Sequence, residues 1–217
     1  MEKIKRLLRS ERDHHTPLPR LVLVAGKPGS GKSTLAKELA RPENLGLPLL
    51  SRDAIKAGMV ETWTFARPGV SRSEIETDAL RSTLVPNSFD LFYRTMTGWL
   101  QAGVSLIAEY SFDRRSEAAL KPIIENANTV LIQCECPDEL SRQRFIEREQ
   151  TEGKVRPDRL ANMMKRIALG TDPWRQFETM ALPIPMLRVN TRYGYEPGLD
   201  EVTAFCRDPT GSPGSPF

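Results

Sequence analysis

The stretch Arg20-Leu21-Val22-Leu23-Val24-Ala25-Gly26-Lys27-Pro28-Gly29-Ser30-Gly31-Lys32-Ser33 decides the fold. Its first six residues form a short, apolar, partly β-branched run, the pattern of a strand buried on both faces of a sheet. Glycines follow at once, and a helical pattern runs from Lys32 to about residue 41. Residues 26–33 fit the spacing G-x-x-x-x-G-K-[ST], and they lie between strand and helix as that loop's mechanism requires. Gly26, Gly29 and Gly31, with Lys27, Pro28 and Ser30 between them, let the backbone curl so that successive N–H groups face phosphate oxygens. The following helix adds its positive N-terminal end. Lys32 is placed to reach the β- and γ-phosphates, Ser33 to offer its hydroxyl to Mg²⁺, and Thr34 to extend the nucleotide side. The loop predicts binding of ATP with Mg²⁺, but by itself it does not say where the γ-phosphate goes.

Working outward, further strands are expected at 47–51, 104–109, 129–135 and 184–190, each separated by segments of helical period or length. Such alternation implies β-α units around a parallel sheet. The longest interval, 54–102, is mostly helical in pattern. Phe89, Phe92, Met96 and Trp99 share one stripe of it, read first as core and second as a substrate pocket.

With 217 residues, 39% hydrophobic and 27% charged, the chain can bury one sizeable core and reads as a single domain. Lys+Arg total 31 against Asp+Glu 28, a formal +3, too balanced for a protein that coats nucleic acid. Cys134, Cys136 and Cys206 lack metal-binding spacing and read as buried or half-buried thiols. His14 and His15 have no sequence partner and read as surface residues. No apolar stretch approaches the roughly 18 residues that span a bilayer, so a cytoplasmic location is expected. Residues 1–18 are expected to be a helical extension, with Ile4, Leu7 and Leu8 at helical spacing. Residues 19–206 form the expected domain, and the Pro-, Gly- and Ser-rich tail 207–217 is expected to be disordered.

The second strand ends in Ser51-Arg52-Asp53, so Asp53 emerges at the carboxyl edge, where open α/β sheets bind ligands. A kinase needs a base or orienting acceptor for the attacking hydroxyl, and Asp53 has the right chemistry and place. Ser51 or Asp53 is also a candidate helix cap, and the two roles can coexist.

The phosphate loop followed by Ser51-Arg52-Asp53 at the next strand end resembles the P-loop kinases that include polynucleotide 5′-hydroxyl kinases, zeta toxins and chloramphenicol phosphotransferase, AAA-type ATP-binding small kinases. The resemblance implies a P-loop NTPase three-layer sandwich with a five-stranded, mainly parallel sheet and a lid. It also implies that Asp53 is the base, with Arg52 beside it on the acceptor side, and that Lys32 and Ser33 hold ATP and Mg²⁺.

The third strand ends in Glu109-Tyr110-Ser111-Phe112-Asp113. In that group an acidic residue here assists the metal or grips the acceptor, so Glu109 is a candidate for both roles, reaching the metal through water. The alternative is a solvent-facing Glu109. The usual strand-end Asp of the second nucleotide motif is missing.

The segment from Cys136-Pro137-Asp138 through Arg142, Arg144 and Arg148 to Lys154, Arg156 and Arg159 resembles a kinase lid, about 148–159. Guanidinium forks suit charge developing on a transferring phosphate, which makes Arg144, Arg148 and Arg156 candidates. Interleaved acids allow ordinary helix-surface pairing as the other reading. The loop Asn190-Thr191-Arg192-Tyr193-Gly194-Tyr195-Glu196-Pro197-Gly198 resembles the one beside the adenine ring. Between the second and third strands, Trp63, Phe65, Arg67 and Arg72 offer aromatic and cationic groups to an acceptor, Trp63 and Arg67 foremost.

The expected activity is ATP-dependent phosphorylation of a hydroxyl on a small molecule: a metabolite, a nucleoside-like compound or an antibiotic. A polynucleotide 5′-hydroxyl kinase and an ATPase switch without an acceptor are the alternatives. Lys32→Ala should abolish phosphoryl transfer and weaken nucleotide binding while the fold survives. Calorimetric ATP titration checks this, and unchanged affinity and turnover would remove the phosphate-loop reading.

Overall fold

The computed structural model describes residues 17–65, 83–151 and 157–210; the side chains of 60, 61, 63–65 and 157–162 are not described. The expected N-terminal helix, Arg67 and Arg72, Lys154 and Arg156, and residues 211–217 of the tail lie outside the described residues.

The elements follow in order as β1 (Arg20–Gly26), α1 (Lys32–Ala40), β2 (Leu49–Ser51), α2 (Arg52–Phe65), α3 (Val85–Gln101), β3 (Leu106–Glu109), a 3₁₀ turn (Arg114–Ser116), α4 (Glu117–Ile124), β4 (Asn128–Glu135), α5 (Asp138–Thr151), α6 (Pro157–Ala168), β5 (Met186–Asn190) and α7 (Leu199–Arg207). The five strands lie in the order β2-β3-β1-β4-β5. Every neighbouring pair is parallel, with Val24 beside Glu109 and Gly26 beside Cys134. The expected "mainly parallel" sheet is therefore parallel throughout, and an isolated antiparallel bridge, Asn190 with Glu196, closes the loop after β5.

The central strands β1, β3 and β4 are buried on both sides, which explains why they read as apolar runs rather than alternating ones. Leu21, Leu23, Leu106, Ala108 and Leu131 face Phe92, Met96 and Leu100 of α3 and Leu120 and Ile123 of α4. Val22, Val24, Ile107, Val130 and Ile132 face Leu35 and Leu39 of α1 and Val202 and Phe205 of α7. On the α3 stripe Phe92 and Met96 are fully buried and Trp99 packs against the same core, whereas Phe89 is half-buried and meets Tyr110 edge-on at 5.3 Å. Cys134 and Cys206 are buried, and burial pushes both thiols up to about 12. No described helix is long and apolar enough to cross a membrane. Arg207 belongs to α7 rather than to the tail, and the Asp208 side chain accepts from the Thr210 N–H in a turn beyond it.

Parallel pairing brings Gly26, Ser51, Glu109, Glu135 and Asn190 to one edge. There the chain turns from β1 into α1 through Gly29 (φ 76°) and Gly31 (φ 78°), both left-handed. Gly29 is also pressed against α5: a Cβ on it would sit 2.0 Å from the Ser141 carbonyl oxygen. Gly29→Ala should therefore destabilise the protein by about 2–3 kcal/mol, combining left-handed strain with a backbone collision. Urea unfolding measures it, and an unchanged midpoint would contradict the tight loop packing.

Candidate active site

The loop from β1 to α1 is held by its surroundings as well as by its own turn. Inside it, the Ser30 N–H donates to the Lys27 carbonyl at 3.1 Å, and the Leu35 N–H to the Gly31 carbonyl at 3.0 Å. From outside, Thr191 Oγ1 donates to the Ser30 carbonyl at 2.8 Å, and Lys27 Nζ pairs with Asp138 at 2.6 Å. Lys27 is thus bound to the start of α5. A Cβ on Gly26 would lie 2.5 Å from Ser30 Oγ. That hydroxyl is buried and, among the described residues, has no hydrogen-bond partner.

Lys32 differs from its sequence expectation in one respect. Its side chain is buried in the first turn of α1, because β3 rises directly beside it, so Lys32→Ala also strips the buried Glu109 of a cationic partner and is expected to cost stability as well as transfer, contrary to the expectation that the fold is unaffected. Its contacts are long: 3.5 Å to the Lys27 carbonyl and 3.9 Å to Glu109 Oε1. A buried ammonium with such loose partners retains donors for an anion. Ser30 and Lys32 therefore fit the phosphates of a nucleotide.

Glu109 is only 5% exposed, so the solvent-facing reading is overturned. Its register beside Val24 aims it toward α1, where Ser33 Oγ donates to Oε1 at 3.0 Å and Ser51 Oγ donates to Oε2 at 2.8 Å. The Ser51 hydroxyl is therefore donated to Glu109. Among the described residues no three His, Cys, Asp or Glu side chains gather as a metal cage. Ser33 and Glu109 offer the hard oxygen donors Mg²⁺ takes when phosphates and waters complete its shell.

Asp53 lies in the first turn of α2, side chain 69% exposed. Arg52 Nη1 reaches Asp53 Oδ1 at 3.2 Å. The Arg52 guanidinium is buried, 4.1 Å from the centre of the Phe89 ring and 5.5 Å from that of Tyr110. Arg52 thus braces Asp53 from below. Burial pushes the Tyr110 phenol up to about 12, with the Arg52 charge opposing, so it remains protonated at neutral pH.

Lys32, Ser33, Asp53 and Tyr110 line one cavity of about 270 Å³, together with Arg115, Arg148 and Arg166. Arg148 reaches it from the last turn of α5, its guanidinium 5.6 Å from the Phe145 ring centre. Arg115 forks onto Asp113, whose carboxylate also accepts the Arg115 N–H and fixes the 3₁₀ turn. Arg166 donates Nε and Nη2 to the Thr171 carbonyl. Neither Arg115 nor Arg166 was expected from sequence; no local motif marks them, and only the fold brings them to this edge. A larger cavity, about 380 Å³, lies at the opposite end of the strands. Its Arg20 and Arg207 are already bound to the main-chain carbonyls of Arg207 and Asn44, so it gathers no comparable chemistry.

Arg144 requires correction. Expected among the lid arginines, it donates instead to the carbonyls of Thr191 (3.0 Å) and Arg192 (2.9 Å). Its position on α5 turns it toward the loop after β5, so it braces the segment expected beside the base. Trp63 sits on α2, its side chain among those not described, while Arg67 and Arg156 lie outside the described residues.

Residues 21–169 match the family model described as the AAA domain. No curated protein matches the sequence. Among solved structures, a presumed kinase from Chloroflexus aurantiacus superposes with a TM-score of 0.62 at 23% identity, over 88% of this chain and 97% of that one. A sugar kinase from Janibacter gives 0.52 at 19% identity, over 88% and 95%. The Mycobacterium tuberculosis APS kinase, solved with AMPPNP and APS, gives 0.52 at 15% identity, over 89% and 98%. At these identities the superpositions speak to the fold, whereas the family match spans more than half of the sequence, and by it the chain belongs to the AAA domain family, folded as a P-loop kinase.

Proposed function

We propose that the protein is a Mg²⁺-ATP-dependent kinase that transfers the γ-phosphoryl group to a hydroxyl of a small molecule. One observation carries the reading: Asp53 lines the same cavity as Lys32 and Ser33, so the proposed acceptor base and the phosphate anchor face one space. Phosphoryl transfer asks the protein for little beyond positioning and charge, and the residues divide accordingly.

Lys32 and the loop amides hold the phosphates. Ser33 and Glu109 would hold Mg²⁺, which when bound neutralises charge between the β- and γ-phosphates. Arg148 and Arg166 supply guanidinium charge where the transferring group gathers negative charge. Asp53 accepts the hydroxyl proton of the acceptor on its carboxylate, held by Arg52. Tyr110, staying protonated, offers a hydrogen bond to the same molecule.

The cavity is compact and the net charge of +3 provides no extended basic track, which favours a small acceptor over a polynucleotide. The sugar kinase and the APS kinase with the same fold act on small molecules, in line with this choice. ATP consumption measured with and without hydroxylated metabolites and 5′-hydroxyl oligonucleotides identifies the acceptor. Acceptor-independent hydrolysis would favour an ATPase switch, and oligonucleotide-dependent turnover a polynucleotide kinase.

With the acceptor in hand, Asp53→Asn should keep near-normal Mg²⁺-ATP binding and lose transfer by about 10²- to 10⁴-fold in single turnovers, the range for removing a general base. Transfer at the parental rate would place the base elsewhere, with Glu109 and Asp113 next in line.

A further inference from the structure

Nothing in the sequence pattern marks the short segment between α6 and β5, yet it reaches the centre of the site. Asp172, buried, accepts the N–H groups of Trp174 (3.0 Å) and Arg175 (3.1 Å) and is bound by Arg142 Nη2 at 3.2 Å. Burial pushes this carboxyl up, but the Arg175 N–H, the Arg142 charge and the Trp174 N–H outweigh it and hold it below the ordinary value. The turn so formed drives the Trp174 indole inward, where it is 1% exposed and meets Phe145 edge-on at 5.6 Å. Its Nε1–H then donates both to the Pro28 carbonyl of the phosphate loop (3.1 Å) and to Ser141 Oγ (2.8 Å).

The Pro28 contact bears on the loop's chemistry. In a planar trans peptide the carbonyl and the following N–H point in opposite directions. Holding the Pro28 carbonyl toward Trp174 therefore turns the Gly29 N–H away from Trp174. Gly29 offers no side chain to resist rotation of that peptide, so an outside bond has to fix it. Meanwhile Pro173 and Phe177, on either side of Trp174, line the Lys32–Asp53 cavity, and Arg166 lines it while gripping the Thr171 carbonyl. One turn thus touches the cavity on one side and the loop backbone on the other.

We propose that Trp174 is a positioning residue of the phosphate loop, fixing the Gly29 donor through the Pro28 carbonyl and linking nucleotide occupancy to the turn that walls the cavity. The inference rests on the nucleotide-binding reading of the loop and adds the residue that sets its geometry.

Trp174→Phe keeps a ring against Phe145 and removes the N–H. Titrating the full-length variant calorimetrically with Mg²⁺ and AMPPNP should show affinity weakened about tenfold, the effect of losing one partly buried hydrogen bond. Ser141→Ala removes the second acceptor, leaves the Pro28 bond, and should stay within about twofold of the parent. Should Trp174→Phe fold poorly, the double variant Trp63→Phe/Trp99→Phe leaves Trp174 as the lone indole. Its emission should then change on AMPPNP addition with the calorimetric midpoint. Parental affinity in Trp174→Phe, equal losses in both single variants, or a lone indole unmoved at saturation would overturn the proposal. A parent that binds no AMPPNP would overturn the nucleotide reading itself, and the proposal with it.

Discussion

At the end of β3 the Glu109 carboxylate is buried against the first turn of α1, and two hydroxyls and an ammonium answer it. A buried carboxylate without such partners would be expensive, so its presence dictates what surrounds it. Ser51 ties the end of β2 to it, Ser33 ties α1, and Lys32 balances its charge across 3.9 Å. Three segments distant in sequence are thereby fixed around one anion. Asp53 follows Ser51 by two residues, so the same constraint that holds Lys32 and Ser33 also positions Asp53.

Around this centre the phosphate loop is restrained from several directions, each using a different kind of group. Asp138 takes the Lys27 ammonium, Trp174 the Pro28 carbonyl, Ser141 packs on Gly29, and Thr191 holds the Ser30 carbonyl. These partners come from α5, the turn after α6 and the loop after β5. A glycine-rich loop loses much entropy on ordering, and ligand affinity falls if binding must supply that order. Restraining it beforehand removes that cost, and it makes the loop responsive to the elements that hold it.

The cationic wall follows a related logic. Arg115, Arg148 and Arg166 come from the 3₁₀ turn, α5 and α6, and each has a protein contact that limits its rotation: Asp113 for Arg115, Phe145 for Arg148, Thr171 for Arg166. Partly satisfied guanidinium groups of this kind keep donors facing a cavity without collapsing onto it. Arg144, similar in sequence, is fully turned to a different duty, since two carbonyls of the loop after β5 take its fork.

The strands, the phosphate loop and the Asp53 position were legible in the sequence because each is local. A strand buried on both faces must be a short apolar run, a phosphate loop needs glycines and Lys-Ser at fixed spacing, and a strand end carries its next residue to the ligand edge. Glu109 was half legible: its place at a strand end could be read, but not which face of β3 it occupied against α1. Tertiary structure alone decided the burial of Lys32, the brace formed by Arg144, and the presence of Arg115, Arg166 and Trp174 at the site. All of these depend on contacts between residues far apart in the chain, as Trp174 and Pro28 are, separated by 146 positions. Local spacing says which side of a helix or strand a residue occupies; what stands opposite that side is set only when the sheet orders its strands.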